Sequence, residues 1–162
     1  MASSKSIEKR KGQIKEISSS LERREQQVSE LEDRYQRAFD ARMDLERLDD
    51  LDDEARTYFQ ELSAKDLESL HEEGEQLAED MMDETQQLDE VRHENEEASG
   101  ANRKAEQYAR ISDAATGGDT MSAIEKNAEE ISQVTDEIND TQKKMDDLSN
   151  RARNLSKRGG PF

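Results

Sequence analysis

A run of acidic residues near the middle of the chain has the spacing of a calcium-binding loop. Asp50, Asp52, Glu54 and Glu61 occupy positions 1, 3, 5 and 12 of such a loop, and a glutamate at position 12 supplies its bidentate ligand. Position 6, where the loop needs glycine for its turn, is Ala55. We therefore interpret the run as a solvated acidic turn and expect no metal there.

The other residue types that carry chemistry do not form a recognisable site. His71 and His93 lie 22 positions apart, so they lack the four-residue spacing that places two metal ligands on one helix face. The chain has no cysteine, which excludes disulfides, thiolate metal sites and thiol catalysis. No apolar pocket is indicated that would tune a carboxylate for acid–base catalysis. We expect a protein without enzymatic activity and without a cofactor.

Composition favours long helices over a compact globular core. Only 30% of the 162 residues are hydrophobic, below the 45–50% typical of a globular domain. Ala, Glu, Lys, Leu and Arg together make up close to half of the chain, which is typical of coiled coils. With one proline and seven glycines, the chain has few residues that would interrupt a helix. The composition therefore predicts an all-α protein.

Apolar residues recur with the seven-residue period of a coiled coil in three segments. The first seam contains Ile7, Ile14, Ile17, Leu21, Val28, Leu31, Tyr35, Ala38 and Leu45. The second contains Leu67, Leu70, Leu77, Met81, Leu88, Val91, Ala98, Ala105 and Ala109, with Gly74, Glu84, Asn95 and Asn102 as its polar or small exceptions. The third contains Ile124, Ile131, Val134, Ile138, Met145, Leu148, Ala152 and Leu155. Arg10 and Arg24 fill two sites of the first seam, where we expect their aliphatic stems to pack while the charged heads reach water.

Breaks between the seams mark the expected ends of the helices. Gly117 and Gly118 end one helix, and Ser122 with Glu125 three residues later forms a capping box that begins the next. The aspartates crowded between residues 48 and 63 indicate a bend. The alternative is one continuous helix through this segment, because Leu51, Ala55, Tyr58 and Leu62 also fit a heptad after a phase slip.

These breaks predict one elongated helical unit over residues 1–162. Its first helix covers about residues 4–48 and is followed by an acidic turn and a short helix at about 49–62. A second long helix covers about residues 64–112, and a Gly-Gly loop at 113–121 leads to a third helix at about 122–157. Residues 158–162 are expected to form a flexible tail.

The net charge of −17 is confined to one segment, because residues 48–100 contain 20 acidic and 3 basic residues. Such a helix is self-repulsive unless bases lie beside it. A hairpin at residues 50–63 would place Arg34, Arg37 and Arg42 opposite residues near 77, 74 and 69. A hairpin at the Gly-Gly loop would place Arg151, Arg153 and Lys157 opposite residues near 83, 81 and 77. We therefore predict an antiparallel, up-down-up coiled coil of three long helices, with further oligomerisation left open.

The seams and the charged segment favour a non-enzymatic coiled-coil protein that binds other proteins, as a scaffold, adaptor or stalk component of a larger assembly. The alternative is an acidic chaperone or mimic that binds a basic client protein through residues 48–100. Nucleic acid and membranes are not expected partners, because both require a basic surface. Without a secretory signal pattern or a long apolar stretch, the chain is expected in the cytoplasm.

Two charged clusters are the candidate partner-binding residues. The basic C-terminal cluster either complements the helix dipole ahead of a frayed tail or docks as a short peptide ending in Phe162. The candidates are Glu72, Glu73, Glu75, Glu79, Asp80, Asp83, Glu84, Arg151, Arg153, Lys157, Arg158 and Phe162.

Overall fold

The structure, a computed structural model, describes residues 4–158 and the side chains of residues 5–155. Over that range the chain is helical and contains no strand. The helices in chain order are α1 (Ser4–Arg47), α2 (Asp53–Asp80), α3 (Met82–Thr116) and α4 (Thr120–Arg158). The all-α prediction is confirmed, whereas several predicted helix ends are not.

The middle of the chain differs most from the predicted boundaries. The turn is confined to residues 48–52, and α2 then continues through Ser63 without a break. The predicted long helix over residues 64–112 is divided into two helical segments, because a turn at Met81 separates α2 from α3. Met81 has φ −70° and ψ −9°, and its N–H still donates to the carbonyl oxygen of Leu77 at 3.1 Å. The interruption is therefore a local irregularity that needs neither glycine nor proline.

The glycine pair ends α3 as predicted. Gly117 has φ +72°, a left-handed conformation that glycine adopts without steric cost, and its N–H donates to the carbonyl oxygen of Asp113 at 2.8 Å. The loop itself is shorter than predicted, because α4 already begins at Thr120. The capping-box prediction is wrong: Ser122 lies inside the first turn of α4 and donates its hydroxyl to Asp119 at 2.8 Å.

Where the sequence predicts one unit, the contacts define two compact units. Unit 1 contains Met1–Leu21 and Asp83–Lys144, and unit 2 contains Glu22–Met82 and Met145–Phe162. Each unit therefore combines segments of three helices, and both α1 and α4 contribute to both units.

The predicted seams supply the buried apolar residues of each unit. A fully buried Val, Leu, Ile or Met side chain contributes about 1.5–3 kcal/mol to stability, so these seams are the main source of cohesion. Ala38, Leu45, Ala98 and Ala105 are only half-buried. In unit 1 the buried seam residues are Ile7, Ile14, Ile17, Leu21, Leu88, Val91, Ala109, Ile124, Ile131, Val134 and Ile138. In unit 2 they are Val28, Leu31, Tyr35, Leu67, Leu70, Leu77, Met81, Met145, Leu148, Ala152 and Leu155.

Candidate interaction surfaces

The predicted acidic candidates do not form a single surface. The residues from Glu72 to Asp80 belong to unit 2, whereas Asp83 and Glu84 belong to unit 1. Within α2 they also occupy different faces, because Glu72, Glu75 and Glu79 follow a three- and four-residue spacing that Glu73 and Asp80 do not share. All of the acidic candidates are exposed except Glu84.

Glu84 is a buried side chain of unit 1 and is not part of an acidic surface. Only 3% of this residue is exposed, and its Oε1 accepts a hydrogen bond of 2.7 Å from the Ser20 hydroxyl on α1. Glu84 is therefore enclosed within unit 1, and its role in partner binding stays a prediction. The heptad frame already places it on the internal seam, and its negative charge is what made it resemble a surface residue.

Glu73 is paired within the chain. An Nη1 atom of Arg34 on α1 lies 3.0 Å from its carboxylate, with both side chains about half exposed. The expectation that Arg34 faces the acidic helix is thus met, but its partner lies about one helical turn from the predicted position near residue 77. Arg42 instead lies 3.9 Å from Glu46 on its own helix.

The exposed carboxylates of α2 leave one continuous acidic stripe. Glu68, Glu72, Glu75 and Glu79 are exposed and lie on one helix face. None of the four forms an ion pair within the described residues. Sequence reasoning omitted Glu68, although its four-residue distance from Glu72 would have identified it. We call these four residues the acidic stripe.

The basic candidates have a different partner from the one predicted. Arg151 in α4 donates from Nε to the Glu32 carboxylate at 3.2 Å and from Nη2 to the Ser29 hydroxyl at 3.2 Å. These hydrogen-bond partners lie on α1 and not on the acidic segment of α2 and α3, and the role of Arg151 in partner binding stays a prediction. The hydrogen bond to Glu32 raises the pKa of Arg151.

The rest of the basic cluster contributes little to a described surface. Arg153 is exposed. The side chains of Lys157 and Arg158, and all of Phe162, lie outside the described residues, so the docking-peptide hypothesis stays a prediction.

A buried polar chain crosses unit 1 in place of the predicted solvated arginine. Arg10 is only 2% exposed, so its head does not reach water as expected. Its Nε donates to Asn95 Oδ1 at 3.2 Å, and its Nη1 donates to the Ser6 hydroxyl at 2.6 Å. Asn95 Nδ2 in turn donates to the Thr135 hydroxyl at 2.9 Å. Burial lowers the pKa of Arg10, and the nearby charge of Glu94 opposes that effect.

The turn between α1 and α2 is held by specific hydrogen bonds. Asp52 caps α2 by accepting from the N–H of Ala55 at 2.7 Å, as expected at an N-cap. Arg56 reaches back to the carbonyl oxygens at the end of α1, those of Leu45 at 3.4 Å, Glu46 at 3.3 Å and Leu48. These bonds satisfy carbonyls that a helix C-terminus leaves unpaired, and they connect the end of α1 to the start of α2.

Large apolar side chains remain exposed on this hairpin. Tyr58 is 62% exposed and Leu62 is 46% exposed; they lie four residues apart on one face of α2. Phe59 packs edge-to-face against Tyr58, with 5.4 Å between the ring centroids. No residue between 38 and 66 is buried. We call residues 38–66 the acidic hairpin end, because they contain ten acidic and four basic residues.

A second set of exposed apolar residues lies in unit 1. Tyr108 is 75% exposed and Ile111 is 73% exposed, both near the end of α3. We call residues 103–125 the neutral hairpin end, because they contain four acidic and three basic residues. Sequence reasoning singled out neither Tyr108 nor Ile111. In the acidic hairpin end it did record the spacing of Leu51, Ala55, Tyr58 and Leu62, but only as evidence for helix continuity.

The residues considered for metal binding are separated or otherwise engaged. Asp52 serves as the cap of α2, and Glu61 lies two turns further along that helix. His93 lies 3.0 Å from Glu97 on the exposed face of α3. Within residues 4–158 no cluster of three or more potential metal ligands is found. None of the helices in that range carries an apolar stretch of the length needed to cross a bilayer.

The chain matches no protein-family model, and neither a curated protein nor a solved structure is significantly similar to it. The fold and these surfaces define a helical protein with buried apolar seams and with exposed apolar side chains near the ends of its helices.

Proposed function

We propose that the chain is a non-enzymatic coiled-coil protein that binds other proteins, as a scaffold, adaptor or stalk component of a larger assembly. The observation that carries this proposal is the exposure of large apolar side chains, among them Tyr58, Leu62, Tyr108 and Ile111. Exposed clusters of this kind are typical of protein-binding surfaces, and aromatic side chains are enriched at the centres of such interfaces.

We also propose that α3 runs antiparallel to both α1 and α4 in unit 1, so that α1 and α4 run in the same direction. In unit 1, Arg10 of α1 contacts Asn95 of α3, whereas Ser20, further along α1, contacts Glu84, which is earlier in α3. Residue numbers thus rise in one helix as they fall in the other. This opposite order supports an antiparallel pair of the kind used in helical bundles.

The pair formed by α3 and α4 follows the same order. Asn95 Nδ2 donates to the Thr135 hydroxyl, whereas Asn102 Nδ2 donates to the carbonyl oxygen of Ile124 at 3.2 Å. Both asparagines occupy seam positions, where a polar residue favours one register over its alternatives. These contacts support a defined pairing of the two helices.

A second candidate function rests on the acidic stripe of α2. Four carboxylates on one exposed face attract a basic client and accelerate its association at low ionic strength. In this case the protein would act as an acidic chaperone or mimic. Client binding that weakens steeply with added salt would favour this candidate, whereas binding through apolar contacts would persist and favour the scaffold.

Photo-cross-linking in the native host tests the proposed function. A photoreactive phenylalanine analogue is placed singly at exposed positions of the full chain, including Tyr58, Glu72, Tyr108 and Arg153. We expect discrete cross-linked products at a subset of these positions, and their absence at the others serves as the control. Products at none of them, together with a monomeric mass by light scattering, would contradict an interaction role.

A further inference from the structure

In unit 2, the buried residues of α1 and α2 stop well short of the turn that joins these two helices. The last buried residue of α1 is Tyr35, and the first buried residue of α2 is Leu67. Between them lie the final three turns of α1, the turn itself and the first fourteen residues of α2. This segment contains ten of the twenty-one apolar residues of α1 and α2, and none of the ten is buried.

The extent of α4 explains where burial stops. Arg151 lies level with Glu32 of α1, and the seven further residues to Arg158 advance α4 by about 10 Å. Because α1 and α4 both run antiparallel to α3 in the proposed arrangement, the last described residue of α4 lies level with about residue 39 of α1. The Arg34–Glu73 pair places Leu67 of α2 at about the same level. Beyond that level the described part of unit 2 is a hairpin of two helices without a third.

We propose that the acidic hairpin end binds an amphipathic helix of another protein, whose apolar face is flanked by lysine or arginine. This inference rests on the proposed function and specifies the site and the partner class. The partner helix lies along the face of α2 that carries Ala55, Tyr58 and Leu62, with Phe59 at its edge and Leu51 in the turn before it. Its apolar side chains cover the exposed rings, as an amphipathic helix does when it enters a hydrophobic groove.

The negative charge of the acidic hairpin end determines which kind of partner helix can bind there. The acidic hairpin end carries six more acidic than basic residues. If a second copy of the chain bound through the same surface, two negatively charged surfaces would face each other. Repulsion between like charges disfavours that pairing. Basic residues flanking the apolar face of the partner would instead meet Asp49, Asp53, Glu54 and Glu61, which are exposed. Electrostatic attraction of this kind raises the association rate and selects the partner.

The site is preformed, which reduces the cost of binding. Arg56 ties the last carbonyls of α1 to the first turn of α2, and Asp52 caps that turn. A hairpin that is already ordered loses little conformational entropy when a partner helix binds.

A binding assay with designed helical peptides tests the proposal on the full chain. The probe is a fluorescent 21-residue amphipathic peptide with leucine at its seam positions and lysine and arginine beside them. A matched peptide carries glutamate at the flanking positions and is otherwise identical. The test variant is Tyr58→Ser with Leu62→Ser, and the matched control is Tyr108→Ser with Ile111→Ser. Circular dichroism confirms that both variants keep the helical content of the parent.

We expect the basic peptide to bind the parent chain and the control variant alike, and to lose at least about tenfold in affinity for the test variant, as for removal of interface anchors. The acidic peptide should bind at least about tenfold more weakly, and added salt should reduce the difference. Equal binding to both variants, equal binding of both peptides, or no binding to the parent would overturn the proposal. So would a parent dimer that the test variant converts to a monomer, because the occupant would then be a second copy. In each of these cases, photo-cross-linked products at other surfaces of the chain would still support the proposed function.

Discussion

Arg10 Nε donates a hydrogen bond of 3.2 Å to Asn95 Oδ1 in the interior of unit 1. Asn95 extends the link to Thr135, so one polar chain joins α1, α3 and α4. Moving an arginine out of water is costly. Asn95, which is itself held by Thr135, offsets that cost only when the three helices lie in one relative position. The chain therefore favours one helix register over others that the apolar seam alone would accept.

Replacing Asn95 with leucine should destabilise the protein more than a surface substitution does. Arg10 would then remain buried with its Nε–H unpaired, at a cost of about 2–4 kcal/mol. The double variant Arg10→Met with Asn95→Leu removes both polar groups and should recover to within about 1 kcal/mol of the parent or exceed it. Urea unfolding followed by circular dichroism measures each free energy.

One result would contradict the predicted dependence of Arg10 on Asn95, and one further variant provides its control. If Asn95→Leu alone were as stable as the double variant, Arg10 would not depend on Asn95. Gln107→Leu, an exposed position of the same helix, is the control and should change stability by less than about 0.5 kcal/mol.

Asp113 should make stability depend on pH through the loop between α3 and α4. Its carboxylate accepts from the backbone N–H of Met121 at 2.9 Å and from that of Thr120 at 3.1 Å. These bonds hold the pKa of Asp113 below its ordinary value of 3.8. The stabilisation is therefore complete above the pKa of the unfolded chain and disappears as the pH falls through the lower folded-state pKa.

The variant Asp113→Asn cannot titrate and retains a single acceptor oxygen. We expect its melting temperature to lie below that of the parent at neutral pH and the gap to narrow below about pH 4. Asp136→Asn, an exposed position of α4, provides the control, with a small gap at every pH. A gap for Asp113→Asn that stays constant from neutral to acidic pH would contradict the proposed role of the carboxylate charge.

The seams were predictable from the sequence, but the neighbours across them were not. Heptad spacing placed Ile7, Leu88 and Val134 correctly in the interior, because burial follows from periodicity along a single helix. The same spacing does not distinguish charged residues from apolar ones. It therefore assigned Arg10 to the seam without showing that its guanidinium group is buried as well. Whether a seam arginine reaches water depends on the acceptor that another helix supplies, here Asn95.

The candidate site was less predictable because it depends on where helices end relative to one another. The spacing of Tyr58 and Leu62 could be read from the sequence, but their exposure depends on which other helices pack beside them. Similarly, charge along the sequence could not decide whether Arg151 pairs with a carboxylate of α1 or with the acidic segment of residues 48–100, and the structure pairs it with Glu32 of α1. The break at Met81 carries no glycine or proline, and the seam continues through it, so no pattern marks it.

Gly117 and Gly100 should respond in opposite directions to alanine. Gly117 has φ +72°, where an added Cβ is strained, so Gly117→Ala should cost about 1–2 kcal/mol. Gly100 lies within α3, and an added Cβ there meets open space, so Gly100→Ala should stabilise the helix by about 0.5–1 kcal/mol. Unfolding free energies from urea titration test both signs, and a stabilising Gly117→Ala would contradict the left-handed helix stop.

Arg151 and Glu32 should show a measurable coupling energy between α1 and α4. The two side chains are 28% and 39% exposed, so water screens the pair only in part, and the hydrogen bond to Ser29 restricts the guanidinium further. A double-mutant cycle with Arg151→Gln and Glu32→Gln should give a coupling of about 1 kcal/mol, which is larger than for a fully exposed ion pair. High salt should reduce it. Arg153→Gln combined with Glu32→Gln is the matched control and should be additive, since distant groups do not couple. Equal coupling in the two cycles would mean that the general charge of α4, and not the geometry of Arg151, attracts Glu32.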